Sequence, residues 1–170
     1  MVARQISGTG FQLLQQLEGL RLLPYKDSGG LWTVGFGHLI VSEEKLPGVY
    51  FKSDGTAAGG ISLTVAKALL SADLKRFENL VSSVVKVNLQ QCEFDALVIF
   101  AFNIGLRAFK DSTLLKELNS PHSCASGKEA AALNMLGWCH VQNAVVPSLQ
   151  LRQLKTIALF CGWQAPVRTN

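Results

Sequence analysis

The chain is poor in charge: Asp, Glu, Lys and Arg make up only 16% of its 170 residues, against about 25% in an average domain. With 48% apolar residues, this excludes a disordered tail, which needs high charge and low hydropathy. Long apolar runs are also missing. A membrane-spanning helix needs about 20 apolar residues in a row. The greasiest stretch, Phe94 to Phe102, carries Asp95 and runs into Asn103 and Arg107. It reads as a buried core helix, in spite of a mean hydropathy of +0.24. The N-terminus lacks the ordered basic, apolar and small-residue segments of a secretory signal, so synthesis in a cytoplasm and no stable membrane insertion are expected. No heptad repeat supports a coiled coil. The net charge is +4 and the pI near 9.0, yet no dense cationic run or basic helix appears. A nucleic-acid partner is therefore not expected, whereas an acidic polysaccharide or anionic surface remains compatible with the charge. The four cysteines, Cys92, Cys124, Cys139 and Cys161, are far apart and read as reduced, largely buried thiols. His122, Cys124, Cys139 and His140 fit no zinc-finger spacing, so neither metal nor cofactor is expected.

Periodicity organises the rest. Residues 6–18 predict a short helix, with Ser7 as its cap, Phe11, Leu14 and Leu17 on one face, and Gly19 as its stop. From Pro24 to Gly60 the chain is rich in Gly, Pro, Asp and Ser. Asp27-Ser28-Gly29-Gly30 signals a hairpin turn. Trp32, Val34 and Phe36 then alternate with Thr33, Gly35 and Gly37, the period of a strand. Residues 44–60 predict no element. From Ser62, one helical face is marked by Ala66, Leu70, Leu74, Phe77, Val81 and Val84. Further helices are expected at 90–104, 112–119, 127–138 and 148–161, with a break at Asn119-Ser120-Pro121. The class is α+β, mostly helical. The expected organisation is a single domain over 1–170. A small β-containing lobe covers about 19–62, and a helical lobe covers about 63–165 plus the N-terminal helix.

Two acids stand out in an acid-poor region. Glu18 ends the first helix and Asp27 sits at the hairpin turn. Two carboxyl groups from different elements are what glycoside hydrolysis requires, one protonated to donate to the leaving oxygen and one ionised. A carboxyl beside leucines at the negative end of a helix is favoured protonated, while one among turn amides is favoured ionised. Thr33 projects from the opposite strand face to Trp32 and Val34, where Gly35 is expected to leave open space. Taken alone, an acid at a helix end and an acid in a turn are ordinary surface features.

The stretch EGLRLLPYKDSGGLWTVGFGH, residues 18–38, resembles the active-site segment of phage-type lysozymes, glycoside hydrolase family 24. That family carries a Glu, eight residues, an Asp, five residues, then a Thr. Glu18, Asp27 and Thr33 reproduce both intervals. LLSADLKRF at 69–77 resembles the family's interlobe helix, QQCEFDALVIFAFNIGLRAFKDSTLLKELN at 90–119 its central helices, and SLQLRQLKTIALF at 148–160 its C-terminal helix. The resemblance implies a two-lobe lysozyme-like fold. It also implies an endolysin that cleaves the β-1,4 bond between N-acetylmuramic acid and N-acetylglucosamine in peptidoglycan and lyses bacteria. Glu18 would be the general acid. Asp27 would act from the other face of the sugar, and Thr33 would hold a water or the ring beside it.

The resemblance also implies supporting residues. Arg152 would pair with Glu18 across a cleft, although a cation there favours carboxylate. Gln153 and Thr156 stand where many members carry Arg and Glu. His38 and Asp73 would form a structural ion pair between lobes. Asn103 would reach an N-acetyl group or satisfy local backbone. Leu39 and Phe109 would bind substrate or support the site. Trp32, Phe36 and Trp138 would stack on sugars, with core packing the expectation for at least two. Three rival readings fit less well. A lytic transglycosylase needs no partnered Asp, a non-catalytic peptidoglycan-binding module would have lost the triad, and a nucleic-acid-binding domain lacks a motif. The expected molecule is a monomer that reaches the wall through a separate pore-forming protein.

Overall fold

The computed structural model describes residues 4–41, 45–120 and 125–163, with the side chains of 125 and 126 left out. It is mostly helical with small antiparallel sheets, the α+β class expected. The chain forms two compact units, Leu13–Lys75 and residues 1–12 with 76–170. The smaller unit is wider than the 19–62 expected from composition. Helices α1 (Gly8–Glu18) and α2 (Leu63–Val84) each contribute residues to both units, because composition marks the β-rich loops but not which core a helix turn enters. Leu14, Ala66, Leu70 and Leu74 are all buried in the smaller unit. Both helices begin as the sequence predicts. Ser7 Oγ accepts from Gly10 N at 3.2 Å and Ser62 Oγ from Val65 N at 3.2 Å, each satisfying an orphan amide of the first turn.

In the smaller unit β1 (Arg21–Lys26), β2 (Trp32–Gly35) and β3 (His38–Leu39) form an antiparallel sheet in that order. The alternation through Gly37 overruns the strand. β2 ends at Gly35, whose φ of +70° is left-handed backbone that breaks the pleat. Nor does Gly35 leave open space: a Cβ there would sit 3.4 Å from both Ala66 Cβ and Ile61 Cδ1. Helix α2 packs onto the strand at that point, which buries both faces of β2. Residues 44–60, expected to lack structure, contain the hairpin β4 (Val49–Phe51) and β5 (Ala57–Gly59). Strands of three residues are too short to show a period.

The larger unit is built on α3 (Gln91–Ile104), where every residue from Glu93 to Ala101 is buried. A helix apolar all round belongs at the centre of its unit. The expected helix at 112–119 is α5 (Thr113–Leu118), capped by Ser112 Oγ at 3.2 Å from Leu115 N. Between them lies α4 (Leu106–Asp111), which periodicity missed because Gly105, at φ +89°, restarts the helix after a single break. The helix expected at 127–138 is α6 (Ala125–Ala132) followed by a 3₁₀ stretch, Leu133–Cys139. A further hairpin, β6 (His140–Val141) and β7 (Ala144–Val145), turns at Gln142 and Asn143, both at positive φ. Two such residues suit the right-handed twist of a tight hairpin. Helix α7 (Pro147–Phe160) closes the described fold. Asp95, 1% exposed, accepts from Ser7 N at 2.9 Å, from Ser7 Oγ, and from Gln91 Nε2 at 2.7 Å. It thereby anchors the start of α1 to α3.

Candidate active site

Glu18, Asp27 and Thr33 all lie in the smaller unit. Asp27 opens the loop between β1 and β2. Its Oδ1 accepts from Gly29 N and Leu31 N, both at 2.9 Å. Its backbone is tied to the same loop, with Asp27 N donating to Leu31 O at 2.9 Å and Gly30 N to Asp27 O at 2.9 Å. A short polar side chain that bonds amides two and four residues on pre-forms its own turn. Thr33, 4% exposed, donates from Oγ1 to Leu31 O at 3.2 Å. The Leu31 peptide therefore links the two residues: its N–H orients the carboxylate and its carbonyl takes the threonine hydroxyl. The sequence carried no signal for Leu31, because the link is made by backbone atoms that any residue supplies.

Glu18 is the last residue of α1 and is half-buried. Gly19, at φ +71°, ends the helix as expected, and its N–H closes on Gln15 O at 3.1 Å. Beyond Gly19, strand β1 is bulged. Arg21 pairs with Gly35 and Tyr25 with Thr33, so four residue steps on β1 face two on β2. Two steps span about 7 Å where four would span about 13 Å. The chain from Glu18 to Asp27 therefore advances less than its length allows. The bulged residues Leu22 to Pro24 are held from outside, with Ile61 N donating to Leu22 O at 2.9 Å. Pro24, which cannot donate to a ladder, was the one local hint of this bulge.

The residues expected to support the site are divided between the two units. His38 Nδ1 and Asp73 Oδ2 meet at 2.8 Å. Both belong to the unit Leu13–Lys75, so the pair ties β3 to α2 within one unit and does not bridge two lobes. Leu39 is 43% exposed on β3, opposite Thr33. Arg152, Asn103 and Phe109 lie in the other unit. Arg152 is half-buried on α7. Asn103 is half-buried in the last turn of α3. Phe109 is wholly buried in the core of its own unit, edge-on to Phe100 at 6.2 Å. Among the aromatics, Phe36 is core at 5% exposure. Trp32 packs edge-on to Phe51 at 5.9 Å under Lys26, and Trp138 lies edge-on to Phe100 at 6.1 Å. Among the described residues no group of three or more His, Cys, Asp or Glu is arranged to hold a metal. His122 and Cys124 lie outside them. Cys139 is buried, but Cys161 is exposed, contrary to the expectation of largely buried thiols. It follows the last turn of a helix whose end faces solvent.

The phage lysozyme family model matches residues 15–155. The chain belongs to the phage lysozyme family. It is 42% identical over 118 residues to the endolysin of Salmonella phage P22, covering 68% of this chain and 73% of that one. It is 35% identical over 157 residues to the endolysin of Bacillus phage B103, covering 91% of this chain but 53% of the relative. The chain thus spans about half the length of that Bacillus protein. Among solved structures, a P22 lysozyme variant superposes with a TM-score of 0.76 at 33% identity, covering 93% and 99% of the two chains. The muramidase domain of SpmX from Asticaccaulis excentricus superposes at 0.74 and 30% identity, covering 92% and 97%. In this phage lysozyme family chain, Gln153 and Thr156 are both buried on α7. Gln153 is 1% exposed, and its amide oxygen and nitrogen have no hydrogen-bond partner among the described residues. Thr156, equally buried, returns its hydroxyl to Arg152 O at 2.9 Å.

Proposed function

We propose that this chain is an endolysin that hydrolyses the β-1,4 bond between N-acetylmuramic acid and N-acetylglucosamine of bacterial peptidoglycan. The reading rests on family membership together with one observation: the loop that holds Asp27 also holds Thr33, through the Leu31 peptide. Turn amides occupy Asp27 Oδ1, so Oδ2 is the oxygen assigned to chemistry. Glu18 delivers its proton to the glycosidic oxygen as the bond to the anomeric carbon breaks. Asp27 orients a water toward that carbon and takes its proton, with Thr33 placing the water. The sugar passes through an oxocarbenium-like state, which the Asp27 carboxylate stabilises. Synthesis in the cytoplasm and release to the wall by a separate pore-forming protein complete the reading.

Two experiments test it. In Glu18→Gln the shape is kept and the donated proton is lost, which should slow lysis of chloroform-treated Gram-negative cells by about 10²–10⁴. Near-normal lysis by the folded variant would remove Glu18 from the role. Product analysis tests the water. Room for a water between the carboxyls, roughly 6.5–9.5 Å, goes with inversion, so NMR should show the α-anomer first. A retained β-anomer points to a covalent intermediate, and an anhydro sugar end points to a lytic transglycosylase.

A further inference from the structure

Two thiols that the hydrolytic reading leaves unused lie at one corner of the larger unit. Cys92 is the second residue of α3, and Cys161 immediately follows α7. The end of α7 is built rigidly. Trp163 N donates to Ala158 O at 2.8 Å and Gly162 N to Leu159 O at 2.9 Å, with Gly162 at φ +73°. These two bonds form a Schellman motif, which fixes the backbone of Cys161 in space. Cys92 Sγ lies beside that backbone, near the residues on either side of Cys161. It lies 3.8 Å from Phe160 O, and a Cβ on Gly162 would sit 3.9 Å from it. The start of α3 is held as firmly. Glu93 accepts from Gln90 N at 2.7 Å and pairs with Lys128 at 3.1 Å.

We propose that Cys92 and Cys161 are a disulfide-forming pair, reduced where the chain is made and closed by a disulfide oxidant once it leaves that compartment, so that the ends of α3 and α7 become covalently stapled. The step is thiol–disulfide exchange. One cysteine thiolate attacks an oxidised low-molecular-weight disulfide and expels one thiolate. The second cysteine then attacks the mixed disulfide and expels the other. Two cysteine thiols are oxidised, one external disulfide is reduced to two thiols, and the balance closes without another reagent. The pairing stands on geometry and is independent of the assignment of Glu18 and Asp27. Its use rests on that assignment, because a wall outside the cytosol lies in the setting where disulfides persist.

Electrostatics decides the character of the bond. Cys161 is exposed overall, but partial desolvation of its thiol pushes it up from its ordinary value, and the negative charges of Glu129, Cys92 and Glu93 add to the push. A scarce thiolate makes closure slow near neutrality and faster in alkali. A high-pKa thiol is also a poor leaving group, so once formed the bond resists reduction. These properties suit a staple and not a rapidly cycling switch. The loop closed runs from 92 to 161, long enough for the constraint on the unfolded chain to be substantial.

The test uses the full chain with Cys124→Ser and Cys139→Ser, which leaves only the two thiols in question. Oxidised glutathione is the probe, followed by alkylation and peptide mapping. The expected product is an intramolecular 92–161 link, about 2 Da lighter than the dithiol and free of glutathione. It should melt about 5 °C or more above the reduced form, and dithiothreitol should reverse the gain. Glutathione retained on Cys161 without closure, a link between two molecules, or closure without a rise in melting temperature would overturn the proposal. Should the double variant fail to fold, mapping all four thiols of the unmodified chain answers the same question. There, any dominant pair other than Cys92 with Cys161 overturns it. Activity separates the two readings, since the Glu18→Gln chain should form the staple as readily as the parent.

Discussion

Single residues act here through the backbone they organise. Asp27 shapes the loop that displays it, and the Leu31 peptide passes that order on to Thr33. Asp54 does the same in the β4–β5 turn. Its Oδ1 accepts from Thr56 Oγ1 at 2.6 Å and from Thr56 N at 2.9 Å. The hydroxyl bond first, then the amide, hold its pKa below the ordinary 3.8. A depressed folded value means the contribution is complete above the unfolded pKa and is lost as pH falls through the folded one. Carboxyl NMR should therefore find Asp54 titrating below 3.8. In Thr56→Val the titration should move upward. An unchanged midpoint in that variant would show that the hydroxyl is not the cause.

Elements are held together by a few polar contacts set among apolar ones. The His38–Asp73 contact joins a two-residue strand to the middle of α2, with the side chains 14% and 24% exposed. So short a strand has little ladder of its own, and the contact fixes where β3 rests. In Asp73→Asn the charge is removed and the volume kept, at a cost of about 1–2 kcal/mol. Calorimetry should show a fall of about 2–6 °C in Tm. Lysis per folded molecule should hold, because Glu18, Asp27 and Thr33 are untouched. A variant melting with the parent would mean that the sheet positions β3 unaided. The Ser7 cap was legible at this scale, because it bonds the amide three residues on within a single turn; Ser62 and Ser112 make the same bond at the starts of α2 and α5. The β1 bulge was not legible, since its register depends on Gly35 and Ile61, far along the chain.

Across the whole molecule, charge is divided unevenly. The unit Leu13–Lys75 carries six Lys and Arg against six Asp and Glu, while the rest of the chain carries ten against six. The net +4 therefore belongs entirely to the larger unit, and the unit holding the carboxyl groups is neutral. Long-range attraction to an anionic wall should act through the larger unit and be screened by salt, the Debye length falling from about 10 Å at 0.1 M to about 3 Å at 1 M. Turbidimetric lysis should slow several-fold over that range. Exposed Lys110 and Lys116 offer the control: Lys110→Gln with Lys116→Gln should flatten the salt response while leaving the high-salt rate unchanged. A response as steep as the parent's would place the attraction elsewhere.

Much of this protein was determined by sequence alone. The starts of α1 and α2, the buried central helix, the Asp27 turn and the Glu–Asp–Thr intervals each depend on residues within a few turns of one another, so local chemistry suffices to specify them. The tertiary structure decided what depends on surfaces meeting. Gly35, read as open space, is the point where α2 presses onto β2. His38 and Asp73 do meet, but they fasten a strand within one unit. The β4–β5 hairpin emerged from a stretch too short in period to announce it. Cys92 and Cys161, far apart along the chain, became neighbours only because α3 and α7 pack side by side and a left-handed glycine turns the chain back at the end of α7. Sequence spacing carries no information about such meetings, because they are settled by how complementary apolar faces bury one another.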